Sequence, residues 1–171
     1  MGPVGSGKSY IAKILAKKLG AVHIRTDDIR VELREKGKTY NAAPRIAADV
    51  RDQALSRGKS VIADFDAVLP RRKRELARMA KKYGAAFFLI AVNTPEKIIL
   101  ARLRKKRYTK KELFQNAEEA IRVYFMRKTA REKGLRATPD FAINNAKPLA
   151  PQIQQIINKI ICHSERSEES D

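Results

Sequence analysis

The stretch GPVGSGKS at residues 2–9 constrains this chain more than any other. It fits G-x-x-x-x-G-K-[ST], with Gly2, Gly7, Lys8 and Ser9 at the fixed positions. Such a loop works where a buried strand delivers the chain into a tight turn and a helix leaves it. The helix is legible, because Ile11, Ile14, Leu15 and Leu19 recur at helical spacing and Gly20 stops them. In that setting the backbone N–H groups of residues 4–9 cradle the β-phosphate of a nucleotide. Lys8 then reaches between the β- and γ-phosphates, and Ser9 offers its hydroxyl to Mg²⁺. The expected nucleotide-binding set is Gly2, Val4, Gly5, Ser6, Gly7, Lys8, Ser9 and Tyr10. Two glycines, a lysine and a serine at this spacing arise by chance in well under about one chain in a hundred of this length.

Downstream, strands and helices alternate. Strands are expected at 21–25, 60–64, 85–92 and 140–144, the third as an unbroken apolar run of the kind covered on both faces. Helices are expected from Asp27 to Lys36, from Pro44 to Gly58, from Pro70 to Tyr83, and after Thr94-Pro95. Thr109 and Glu112 have capping-box spacing for the next helix, and Pro148 begins the last. The alternation predicts an α/β three-layer sandwich, a P-loop NTPase fold with a parallel sheet and right-handed crossovers. That fold needs a fifth, central strand ahead of Gly2, and it is lacking. The expectation is a start assigned too late, at a methionine that would otherwise end the strand.

Residues at the carboxyl ends of such strands face the ligand crevice. Asp27, in RTDDIR (25–30), is placed to accept the proton of a substrate hydroxyl, with Arg30 one turn on to clamp an anionic group. The alternative is that Asp27 or Asp28 only caps the helix starting there. Asp64 ends the 60–64 strand, where a carboxylate can hold Mg²⁺ through water or orient Lys8 and contact substrate. Asp66 is a weaker candidate for the same role and reads first as a turn residue. Arg102, Arg104 and Arg107 suit a lid over about 102–112 that covers the phosphates and stabilises transferring charge, with Arg107 the catalytic candidate.

The other nucleotide-using classes are poorly matched. No Asn-Lys-x-Asp or Leu-Ser-Gly-Gly sequence is present, and Phe65 stands where a hydrolytic motor would place a glutamate. A transferase handing phosphate to a bound hydroxyl is favoured. Charge points the same way: the chain carries +18, and residues 1–162 alone carry +21, which suits polyanionic partners such as nucleic acid or nucleotides. The alternative is a merely lysine-rich solvated surface. At 171 residues one domain is expected, over 1–161, with a solvated, disordered tail at 162–171. The lone Cys162 and the lack of an apolar export or membrane-spanning run fit a cytoplasmic protein.

Taken in order, GPVGSGKS, HIRTDDIR, SVIADFD, RLRKKR and DFAINN resemble the zeta-toxin and polynucleotide-kinase-like group of small P-loop kinases, over about residues 2–161. The resemblance implies ATP and Mg²⁺ as cofactors, Asp27 as base and Arg30 as acceptor-binding arginine. It also implies an adenine site between Arg102 and the loop at Asn144-Asn145. Phe65 departs from the group, which has Thr after the strand-ending Asp. The expected acceptor is a polynucleotide 5′-end or a nucleotide, with a sugar nucleotide as the rival. A non-catalytic protein binding ATP and nucleic acid is a second class, and a toxin held by a partner a third.

Overall fold

The computed structural model describes residues 1–134 and 136–168, without the side chains of 130–133 and 164–168. Helix α1 (Lys8–Leu19) follows the glycine-rich loop and ends at Gly20, whose φ of 60° is left-handed. Then come β1 (Val22–Ile24), α2 (Thr26–Glu35), a 3₁₀ turn at Tyr40–Ala42 and α3 (Ala43–Ser56). They are followed by β2 (Val61–Ala63), α4 (Pro70–Lys82), β3 (Ile90–Asn93) and α5 (Glu96–Lys105). The chain continues with α6 (Ala117–Lys133), β4 (Phe141–Asn144) and α7 (Leu149–Glu168). All pairing is parallel, as the alternation predicts: Val22–Ile24 lies against Val61–Ala63, and Ile90–Asn93 against Phe141–Asn144.

The sheet is parted into these two pairs, and the parting falls where a central strand belongs. Met1 and Gly2 occupy it. Met1 bonds β3 on one side, through its amino group to the Ile90 carbonyl and through its own carbonyl from the Val92 N–H at 2.8 Å. On the other side the Gly2 N–H donates to the carbonyl of Phe65, just past β2, at 3.1 Å. These two residues therefore follow the course of a strand running parallel to β2 and β3 and leading into the loop.

Three apolar clusters hold the layers. Ile11 and Leu15 of α1 meet Val92, Ile143 and the Ile153, Ile156 and Ile157 face of α7. Val4 of the loop packs with Ile99 and Leu103 of α5 and Ala120 and Tyr124 of α6. Val68, Leu89 and Ala137 form the third, against Met1, Phe65 and Phe87.

Three expectations need correction. Only the end of the 85–92 run pairs as a strand. Phe87 and Leu89 are apolar because they pack in the third cluster, and the Leu89 N–H bonds the Asp140 side chain at 2.7 Å instead of a ladder. Thr109 and Glu112 do not open a helix; α6 begins at Ala117, with the Asn116 side chain accepting from the Glu119 N–H at 2.8 Å. The cap sits seven residues later, since Asn116 caps as well as Thr does, and the Glu119 carboxylate accepts from the Gln115 N–H at 2.8 Å. The last helix continues to Glu168, past the start of the tail expected at 162. His163 stacks edge-on against Phe88 at 5.3 Å, and 169–171 lie outside the described residues. No helix among the described residues is long and apolar enough to cross a membrane.

Candidate active site

The loop at residues 2–7 owes its shape to glycines. Gly5 and Gly7 have φ of 78° and 86°, which L side chains rarely adopt. A Cβ on Gly5 would meet Ile99 and Leu103 at 3.0 Å, and one on Gly7 would run into the side-chain nitrogen of Asn145. Gly7→Ala is expected to lower the melting temperature and abolish nucleotide binding, at a cost of about 1–3 kcal/mol from strain alone. Thermal melting and titration with Mg-ADP check both parts.

Ser6 is the hub of the loop. It is fully buried, and its carbonyl accepts from Thr94 Oγ1 at 2.9 Å, Asn145 Nδ2 at 2.5 Å and Arg102 Nη1 at 3.4 Å. Three donors from the ends of β3, α5 and β4 thus fix one peptide, leaving the loop rigid. Its hydroxyl is the one buried side-chain polar atom without a partner among the described residues. The first backbone bond of α1 runs from Ile11 to Gly7 at 3.1 Å, so the N–H groups of Lys8, Ser9 and Tyr10 have no intrahelical acceptor. Rigid loop, left-handed glycines and helix N-terminus together suit an anion.

Ser9 and Asp64 come together, and Lys8 turns to Asp66 instead. Ser9 Oγ donates to Asp64 Oδ2 at 2.5 Å, and His23 Nε2 lies 3.4 Å from Asp64 Oδ1. Arg25 Nε is 3.9 Å away. Lys8 Nζ pairs with Asp66 Oδ1 at 3.0 Å, and the other oxygen of Asp66 pairs with Arg127 of α6. A hydroxyl touching a charged carboxylate is a donor set for Mg²⁺ when phosphate oxygens and water complete the octahedron. The residues fit the ion.

Burial alone would raise the carboxyl of Asp64, but bonds from His23 and Ser9, with the charges of His23 and Lys8, hold it below its ordinary 3.8. Asp66 is likewise pushed up by burial and held below 3.8 by Lys8 and Arg127. Lowered carboxyls contribute stability that is complete above the unfolded value and is lost as pH falls through the folded ones. The melting temperature should therefore drop below about pH 4, with a shallower slope in Asp64→Asn and Asp66→Asn variants.

The Asp64 N–H bonds the Ile24 carbonyl at 3.3 Å, so the end of β2 lies beside the start of α2. Asp27 and Arg30 sit there and pair with each other at 2.6 Å. Neither Asp27 nor Asp28 caps α2 with its side chain; Asp28 pairs with Arg25 at 2.9 Å. Arg102, expected at the start of a lid, donates to the Ser6 carbonyl of the loop. Asn144 does not touch it: its side chain accepts from the Ala146 N–H at 3.0 Å, and its neighbour Asn145 makes the loop contact. Asn144 instead lines a cavity with Pro3, Asn93, Thr94 and Tyr124. Tyr10 and Arg107 are exposed, Arg107 in the segment after α5.

Residues 1–130 match the family model described as an AAA domain. No curated protein matches the sequence. Among solved structures, the chain is similar to a sugar kinase from Janibacter sp. HTCC2649 at TM-score 0.58 and 15% identity, with 96% of this chain and 94% of that one covered. It is similar to a gluconokinase from Sinorhizobium meliloti 1021 at 0.56 and 16%, over 100% and 94% of the two chains. The APS kinase of Mycobacterium tuberculosis, solved with AMPPNP and APS, matches at 0.54 and 18%, over 92% of each chain. The shared feature is the P-loop kinase fold.

Proposed function

This chain belongs to the AAA domain family, and from that premise we propose that it is an ATP- and Mg²⁺-dependent kinase of a hydroxyl acceptor. The observation that carries the reading is the bond from Ser9 to Asp64 at the start of α1, with Lys8 of the same turn paired to Asp66 and with Asp27 and Arg30 at the start of α2, next to the end of β2. Asp27 takes the acceptor's proton as its oxygen attacks the γ-phosphorus; the bond to the bridging oxygen breaks and ADP leaves. Lys8 and the first-turn N–H groups stabilise the charge that develops on the phosphates. Ser9 and Asp64 would hold Mg²⁺, which when bound would supply further charge neutralisation. Arg30 holds an anionic group of the acceptor, and Arg102 and Arg107 belong to the lid.

The zeta-toxin and polynucleotide-kinase-like subgroup is supported by RTDDIR at the end of β1. A polynucleotide acceptor is supported by α4, which exposes Arg71, Arg72, Arg74, Arg78, Lys81 and Lys82. A small acceptor is supported by the likeness to kinases of sugars and of APS. The test is transfer from γ-labelled ATP to 5′-hydroxyl oligonucleotides, nucleosides and sugar nucleotides at two salt concentrations. Binding of a polynucleotide weakens steeply with salt, whereas a small acceptor's does so far less. ATP binding without transfer to any acceptor would favour a non-catalytic role.

A further inference from the structure

We propose that Asp66 is a placeholder for phosphate at Lys8, and that Arg127 sets how firmly it holds that place. The inference rests on the reading of the loop as a nucleotide site. Lys8 and Asp66 are only 15% and 25% exposed, so their contact at 3.0 Å is little weakened by water. A nucleotide phosphate needs the same ammonium, and two anions on one ammonium repel each other. Nucleotide entry therefore displaces Asp66 from Lys8.

A displaced carboxylate in a half-buried site needs another cation, and Arg127 already holds its second oxygen. Arg127 is itself braced. Three residues before it on α6, Tyr124 Oη bonds Glu96 Oε2 at the start of α5 at 2.9 Å. Nζ of Lys128, the next residue along, bonds the same oxygen at 2.7 Å, which holds this part of α6 against α5. With Arg127 present, Asp66 keeps a partner after releasing Lys8. Without Arg127, Lys8 is its remaining ion-pair partner among the described residues, and the carboxylate competes harder with phosphate. Arg127 is thus a positioning residue, acting through Asp66.

The experiment is calorimetric titration of Mg-ADP, at fixed ionic strength, into the wild type, Asp66→Asn, Arg127→Gln and the double variant. Asp66→Asn should bind about three- to tenfold tighter and Arg127→Gln about three- to tenfold weaker, as expected for gain or loss of one partly buried ion pair. In the Asp66→Asn background, Arg127→Gln should change affinity less than about twofold. Arg127→Lys, which keeps a cation, should stay near wild type and guards against a variant that fails to fold. An equal cost of Arg127→Gln in both backgrounds would mean that Arg127 meets the nucleotide itself, overturning the proposal. So would Asp66→Asn binding no tighter than wild type. If no form binds Mg-ADP, the nucleotide reading falls as well; binding of all four with equal affinity sinks this inference alone.

Discussion

Replacing Lys8 with alanine should lower phosphoryl transfer by at least about 10²–10³, the scale of losing one preorganised charge at a developing anion. Folding should hardly change. The Lys8 side chain lies outside the buried face of α1, which is Ile11, Ala12, Leu15 and Ala16. The partner it leaves, Asp66, keeps Arg127. Alanine is also the best residue for a first helical turn whose other requirements are met by the backbone. Rates with γ-labelled ATP, set beside circular-dichroism melts of both proteins, measure the two halves. Near-normal transfer by a well-folded Lys8→Ala protein would defeat the kinase assignment.

Asp27→Asn is the second large effect. Asparagine has almost the same shape and can still accept from Arg30 through its carbonyl oxygen, so α2 should stay in place. What disappears is the capacity to take a proton. The expected result is a fall in kcat of about 10²–10⁴ with ATP binding retained. Asp28→Asn serves as the control, since Asp28 is 54% exposed and its ion-pair partner among the described residues is Arg25, at the N-cap of α2. It should cost less than about threefold, in line with the small worth of an exposed pair. A large loss from Asp28→Asn and none from Asp27→Asn would place the base one residue on.

The loop, its helix and the order of strands were legible because each rests on local chemistry: glycines where φ is positive, helical apolar spacing, short β-branched runs. The start of α6 was misplaced because capping signals recur, at Thr109 with Glu112 and at Asn116 with Glu119, and only packing selects between them. Asp66 carried a signal that went unused. It sits at a bend two residues past Asp64, beyond the end of β2, so close to Asp64 in the chain that both carboxylates fall beside the start of α1. Arg127 carried none, since one arginine on a basic helix looks like the rest, and its distance in sequence from Asp66 hides the contact. Asn144 and Asn145 were read together as one loop; one step at a strand end exchanges one face for the other, so Asn145 reaches the Ser6 carbonyl while Asn144 accepts from the Ala146 N–H.

The parting of the sheet has a consequence for how long the protein survives. Backbone bonding between the two strand pairs passes through Met1 and Gly2, and these residues lead straight into the loop. A ligand that binds the folded loop and not the open chain adds stability by mass action, about 2.7 kcal/mol at a hundred times its dissociation constant. Here that gain falls on the seam itself. Cleavage by a protease that attacks the opened form should then slow as nucleotide concentration rises, which ties the persistence of the molecule to the supply of its own ligand.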